Sequence, residues 1–444
     1  MVLYNEVNNH ISYRTYRFDG GISKTVVYNA SLHRYIILEG IASDLFAFLG
    51  KGDWNNLDYV LKSMDINKDE FLNFYEDLSK QGVFGECYKY YGIVDGVSDT
   101  GMFNEEVEIH NICETLAKNG KIFSFHLDIT NHCNEKCKHC YHTFDKYGER
   151  KELSTKEVFQ IIDDVYDLGV FRITLSGGEA LLRPDIMDVL EYIHSKRMLL
   201  VLFTNGLLLD NNIIDVLAKN GCALVSLSIY GADAITHDSV TGIEGSFDRT
   251  IHAVRNLTGH GIFTELKCVV LKDNCNQLKD VKKLAESLEC SLKLDFTLTG
   301  KVDGDMKPHK YSPDYSDYFR LVKEGLLRLP DCTIGKLSVS PCKAGIYGIY
   351  MDAYGDIFPC VSFRIYLGNH KDIAKALGSC ALQKWKQVSL KDFYPCGKYD
   401  YCNFCLELCA GINMIENGDF LNCETTMCQK AKAMNEYYSN LVEA

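Results

Sequence analysis

Positive charge is scarce in this 444-residue chain: 47 Lys and Arg stand against 60 Asp and Glu, a formal net charge of −13. That balance argues against a general nucleic-acid binder or a protein held on anionic lipid by charge, while leaving room for a local basic groove. Long apolar runs are missing too. The opening "MVLYNEVNNHISYRTYRF" has no apolar core of signal-peptide length. The most apolar internal run, "MLLVLFTNGLLL", is too short for a bilayer and is broken by Thr204, Asn205 and Gly206. The expectation is a cytoplasmic chain. Its 46% apolar and 24% charged residues fit a soluble globular protein, and its length allows two or three domains.

Cysteine, by contrast, is plentiful, with 19 in the chain. In a reducing compartment such thiols serve metals or catalysis more often than disulfides. Three of them, Cys133, Cys137 and Cys140, fall within eight positions in "NHCNEKCKHCYHTF". A second group lies between Cys342 and Cys428. The scattered Cys87, Cys113, Cys222, Cys268, Cys275, Cys290 and Cys380 read as small buried hydrophobes.

The pattern along the chain divides it into residues 1–100, 121–310 and 335–434. In the first part "GISKTVVYNA" and "RYIILEG" read as strands and "ASDLFAFLGKG" as a short helix. "NKDEFLNFYEDLSKQGVF" reads as a helix opened by an Asn67–Glu70 capping box and ended by Gly82. The polar "DGVSDTGMFNEEVE" suits a linker. From residue 121 strands alternate with helices through "FSFHLDIT", "FRITLSGGEA", "LLVLFTNG", "LVSLSIYG", "FTELKCVVLK" and "SLKLDFT". One intervening helix carries a Ser154–Glu157 capping box. Six such units give an α/β fold, a partial (β/α)6 TIM-type barrel, with chemistry at the C-terminal strand ends. After about residue 330 the alternation stops, and a cysteine-dense, metal-stapled core is expected.

Three thiolates can hold three corners of a [4Fe–4S] cube and leave one iron for a ligand. They can equally hold zinc, closed by His132, His139 or His142; spacing alone keeps both open. The CxxxCxxC spacing followed by Tyr141 resembles the signature of the radical SAM family. "SGGEA", "FTNG" and "SLSIYG" follow in order on successive strands, similar to that family's later motifs. The resemblance implies a [4Fe–4S] cluster on Cys133, Cys137 and Cys140 that binds S-adenosyl-L-methionine (SAM). It places Tyr141 beside the cofactor, the amino end of SAM on Gly177, Gly178 and Glu179, Thr204 and Asn205 near it, and Ser228 at the ribose. It further implies a 5′-deoxyadenosyl radical and an electron donor such as flavodoxin or ferredoxin.

Cys342, Gly355 and Cys360 resemble the opening of a SPASM domain. The following spacings of five, two and three depart from that domain's two, five and three. The resemblance implies two auxiliary [4Fe–4S] clusters: Cys396, Cys402, Cys405 and Cys428 on the outer one, Cys342, Cys360 and Cys409 on the inner. Cys423 competes with Cys428, and Cys332 is a candidate fourth inner ligand; zinc knuckles are the alternative. The N-terminal part resembles a winged-helix-like precursor-peptide recognition element, which implies a leader peptide added as a strand to a sheet edge; a structural cap on the barrel is the alternative. The whole resembles a radical SAM/SPASM maturase of ribosomal peptides, of the thioether-forming sactipeptide or ranthipeptide type. Carbon–carbon cross-linking, epimerisation, formylglycine formation and a non-catalytic Fe–S or zinc scaffold stay open. His237 and Asp238 read as helix-start residues.

Overall fold

The computed structural model describes residues 7–18, 21–52, 54–84, 99–143, 150–327, 340–394, 398–405 and 408–442. Cys87, Cys332 and Cys396 lie outside them. No helix among the described residues is long and apolar enough to cross a membrane.

The N-terminal part is a three-stranded antiparallel sheet in the order β1 (Ile11–Arg17), β2 (Ser23–Asn29), β3 (Arg34–Glu39). The first of these strands, "ISYRTYR", is additional to the two read from sequence. Helices Ile41–Leu49, Leu57–Ser63 and Lys68–Lys80 follow. The last is opened by the Asn67–Glu70 capping box. Because strand side chains alternate between faces, β2 serves two cores. Val27 packs with Phe46, Leu49, Phe71 and Phe84 under the helices. Val26 and Tyr28 turn the other way, onto Ile112, Leu116, Phe123 and Phe171.

Residues Asp99–Lys118 form a helix rather than the linker expected around "DGVSDTGMFNEEVE". Ile112, Cys113 and Leu116 on it are buried between the small sheet and the barrel. An apolar stripe with a tertiary partner outweighs the polar, glycine-containing start of the segment.

Six parallel strands form the barrel: β4 (Ser124–Asp128), β5 (Arg172–Ser176), β6 (Leu199–Thr204), β7 (Leu224–Ser228), β8 (Thr264–Val269) and β9 (Ser291–Asp295). Helix Thr155–Asp167, opened by the Ser154–Glu157 capping box, buries Val158, Ile161, Ile162 and Val165 against it. The C-terminal part contributes more than loops. Its strands β10 (Gly348–Met351), β11 (Asp356–Phe358) and β12 (Gly368–Asn369) continue the barrel sheet, β10 lying parallel to β4. Gly348 sits opposite Ser124, and a β-carbon there would be 2.5 Å from the Ser124 carbonyl oxygen, so the pairing needs glycine. This long-range pairing fixes the cysteine-rich part beside the first barrel strand.

The small N-terminal sheet docks on the opposite end of the barrel from the cysteine loop. Tyr13 N–H donates to Arg197 O at 3.0 Å, Ser12 Oγ to Met198 O at 3.1 Å and Tyr16 Oη to Gly169 O at 3.0 Å. These acceptors lie in the turns that enter β5 and β6. Gly221, just before β7, comes so near that a β-carbon would be 2.5 Å from His10 Cα.

Candidate active site

The loop that leaves β4 carries Cys133, Cys137 and Cys140, all half-buried. Its entrance is tied by Glu152, which accepts Thr130 Oγ1 at 2.9 Å and Asn131 N–H at 2.6 Å. Cys140 N–H donates to Cys137 O at 3.1 Å, curling the loop around the thiols. Cys133 is pushed up to about 12, by burial first and then, among other charges, by Cys140. Cys137 rises well above its ordinary range, by burial and the charges of Glu135, Cys140 and Cys133. Burial also raises Cys140. Three thiols that oppose one another's ionisation in a dry pocket are a donor set that a cationic cluster would satisfy.

Among the described residues none of the histidines weighed for a zinc site joins the thiols in a three-donor group. His132 is exposed and gives its backbone carbonyl to Glu179 N–H at 2.8 Å. His139 stands edge-on to Tyr230 at 4.7 Å, and burial lowers it to about 4. His142 Nε2 lies 3.9 Å from Asp128 Oδ2. Zinc needs its donors about 2.3 Å from one point; among the described residues no three such donors are gathered around a single ion. As a thiolate donor set the three cysteines suit a cluster, in which each would hold one iron and the fourth would take SAM.

The glycine turn after β5 is shaped by the cysteine loop. Gly177 has φ 134°, and a β-carbon on it would collide with the Thr130 carbonyl. Gly178 N–H donates to that same oxygen at 3.0 Å. Glu179 is buried, and its carboxylate accepts Thr204 Oγ1 at 2.8 Å, Asn205 N–H at 2.7 Å and Leu181 N–H at 3.0 Å. Burial raises its pKa against these bonds. Glu179 thus joins the ends of β5 and β6. Asn205 Nδ2 reaches back to Asn134 Oδ1 in the cysteine loop at 2.6 Å. Ser228, half-buried at the end of β7, bonds to Tyr230. Tyr230 packs on Cys137. Tyr141 gives its carbonyl to Val302 N–H at 3.0 Å, and its ring tilts over His142 at 4.4 Å. Every motif residue named from sequence therefore borders one rim, formed by the C-terminal ends of β4 to β7. His237 and Asp238 sit in helix Ala234–Thr241. His237 Nδ1 accepts Tyr230 N–H at 3.1 Å, and Asp238 accepts Phe247 N–H at 2.9 Å, so both brace the rim from behind.

In the C-terminal part Cys360 is pushed up to about 11, by burial first, with contributions from Cys409 and Cys342. Cys428 is raised by burial and by Cys402, and Cys405 N–H donates to Cys402 O at 3.1 Å. Cys423 is buried and disulfide-bonded. Of the scattered cysteines, Cys113, Cys222, Cys268 and Cys275 are buried and Cys290 half-buried. Cys380, expected to be buried, is exposed at the first turn of helix Cys380–Lys386, whose buried face is Leu382 and Trp385.

Residues 127–285 match the family model of the Radical SAM superfamily. The chain carries a radical SAM domain on its partial barrel, and that domain implies a [4Fe–4S] cluster and SAM. It is 28% identical over 274 residues to an AdoMet-dependent heme synthase of Methanosarcina barkeri, covering 55% of this chain and 78% of that one. It is 25% identical over 293 residues to the antilisterial bacteriocin subtilosin biosynthesis protein AlbA of Bacillus subtilis, covering 62% and 64%. Among solved structures, Streptococcus suis SuiB bound to precursor peptide SuiA superposes with a TM-score of 0.57 at 15% identity, covering 96% of this chain and 100% of that one. At that identity the likeness is one of fold.

The polar residues on the inner barrel face were not picked out from sequence. Alternate positions of "FSFHLDIT", His126 and Asp128, carried the signal: two ionisable side chains on one face of a strand whose other face is apolar.

Proposed function

We propose that this enzyme matures a ribosomally made peptide, joining a cysteine sulfur to a carbon of a neighbouring residue. The observation that supports it most is a small sheet-and-helix domain fused to the barrel, in an arrangement whose fold matches SuiB along nearly the whole chain. The bacteriocin biosynthesis relative points the same way. In this reading residues 1–100 recognise the leader. Residues 121–310 hold SAM through Gly177, Gly178, Glu179, Thr204, Asn205, Ser228 and Tyr141. Residues 335–434 hold auxiliary clusters, the inner one on Cys342, Cys360 and Cys409, the outer one on Cys402, Cys405, Cys428 and Cys396. A flavodoxin or ferredoxin supplies electrons, and the work is done in the cytoplasm.

When bound, the cluster and SAM supply a carbon radical that removes one hydrogen atom from the peptide. Thioether closure also requires loss of a proton from the thiol and of one electron, which an auxiliary cluster held by Cys342, Cys360 and Cys409 would accept. The chain's own part is orientation and exclusion of water. The Glu179, Thr204 and Asn205 bonds keep the rim rigid, and Tyr230 and His139 close it on the Cys137 side.

Co-expression with any cysteine-containing short peptide found in a neighbouring reading frame tests the reading by mass spectrometry. Loss of two hydrogens per cross-link, with the thiol no longer alkylated, is the expected result. An unchanged peptide overturns it. Heme formation, the second reading, rests on the heme synthase relative; heme absorption in the product would favour it.

A further inference from the structure

An acid–imidazole pair lies on the inner face of the barrel and has no part in the SAM site. Along β4, Phe125 and Leu127 pack into the core under the helices. His126 and Asp128 therefore point the other way, into the chamber. Ring contacts fix that direction. The His126 ring stands edge-on to Phe203 of β6 at 5.8 Å and to Tyr350 of β10 at 5.4 Å, strands on either side of β4. Lys267 of β8 covers the same Phe203 ring at 5.9 Å.

His126 Nε2 lies 3.4 Å from Asp128 Oδ1. The side-chain exposures differ: 26% for His126 and 2% for Asp128. The imidazole thus reaches open space while the carboxylate is walled in. Asp128 is held by more than His126. Its Oδ2 accepts Tyr350 Oη at 2.6 Å and lies 3.9 Å from His142 Nε2. Tyr350 Oη in turn accepts Arg364 Nη2 at 2.8 Å, and Arg364 Nη1 lies 3.7 Å from Asp352 Oδ2. Burial pushes the Asp128 carboxyl up. The close approach of His126 and the charges of His142 and His126 outweigh that and hold it below its ordinary range. A fixed, ionised carboxylate behind a partly open imidazole is the arrangement that orients a general base.

We propose that His126 is the proton acceptor of the chamber and Asp128 its positioning residue. Asp128 Oδ1, 3.4 Å from Nε2, favours the tautomer with its proton on that nitrogen, which leaves the Nδ1 lone pair for an acidic X–H of the substrate. With a peptide as substrate that group is a cysteine thiol: S–H breaks, N–H forms, and the thiolate stays on the peptide. The imidazolium faces Asp128, and no electron moves in this step. The substrate class rests on the peptide reading above; the pair itself rests only on geometry.

The first test needs no substrate. Full chain labelled with 15N in its histidine rings is read by NMR in the neutral form, with His126→Gln assigning the His126 signals and the ring-nitrogen shifts reporting which nitrogen carries the proton. The expected result is the Nε2–H tautomer for His126 in the wild type and a mixture of tautomers in Asp128→Asn. The same tautomer population in both overturns the pairing. The second test follows the co-expressed peptide. His126→Gln, with wild-type iron content as the control for folding, modifies it at least 100-fold more slowly, the scale of a lost general base. Asp128→Asn lowers the plateau rate, and Asp128→Glu restores part of it. Modification by His126→Gln at the wild-type rate overturns the base. A wild type that modifies no peptide overturns the peptide reading, while the tautomer measurement still decides the pair.

Discussion

Gly178 stands against the His132 carbonyl so closely that a β-carbon would collide with that oxygen and lie 2.8 Å from the Asn131 carbonyl oxygen. The glycine turn after β5 and the cysteine loop after β4 are therefore one packed unit. Both obstacles are backbone, which cannot swing aside. Gly178→Ala is expected to shift the loop, cost about 1–3 kcal/mol as overpacked sites do, and lower 5′-deoxyadenosine formation at least tenfold. Denaturant unfolding and nucleoside chromatography measure the two effects.

His237 makes stability depend on pH. Burial lowers its pKa from 6.5 to about 4, so the folded chain binds fewer protons there than the unfolded chain. Its contribution is complete above 6.5 and is lost as pH falls toward 4, a loss of roughly 3 kcal/mol. His237→Asn offers an acceptor to Tyr230 N–H and cannot titrate in this range. Unfolding midpoints between pH 4 and 7 should fall less steeply in the variant, by close to one proton in the slope.

Cys360 is raised by burial and by the charges of Cys409 and Cys342, all three in the C-terminal part. The double change Cys360→Ala with Cys409→Ala should remove part of the bound iron and abolish cross-linked peptide. Unchanged iron would detach these thiols from any cluster.

The small N-terminal sheet docks at the entry turns of β5 and β6, while the cysteine loop leaves the far end of β4. A five- or six-residue strand spans about 17–20 Å. A leader held by that sheet must cover at least this distance, which takes about six extended residues. Shortening the stretch between leader and modified residue below that length should stop modification without weakening peptide binding, read by mass spectrometry and a pull-down.

What was legible in the sequence was local. The Asn67–Glu70 and Ser154–Glu157 capping boxes need only four residues each, and both are formed. The six barrel strands showed as apolar runs closed by turn signals. The order of the cysteine loop, glycine turn, "FTNG" and "SIYG" gave one rim because successive parallel strands place their C-terminal ends together. What escaped depended on distant partners. Asp99–Lys118 becomes a helix with Ile112 and Leu116 between two other units, a burial its own residues do not announce. The pairing of β10 with β4 joins residues more than two hundred positions apart. Glu179 was read as a ligand for an ammonium group, and its three hydrogen bonds to β6 and its own turn become visible only once the strands are set side by side. His126 and Asp128 looked like ordinary strand residues until Phe203 and Tyr350 showed which way they face.

The most direct measurement is metal analysis of the anaerobically purified wild type and of the variant with Cys133, Cys137 and Cys140 all changed to alanine. The account predicts iron and sulfide in the wild type, a loss of about four irons in the variant, and no 5′-deoxyadenosine from it under reduction. Zinc without iron in the wild type, or an undiminished iron content in the variant, would contradict it.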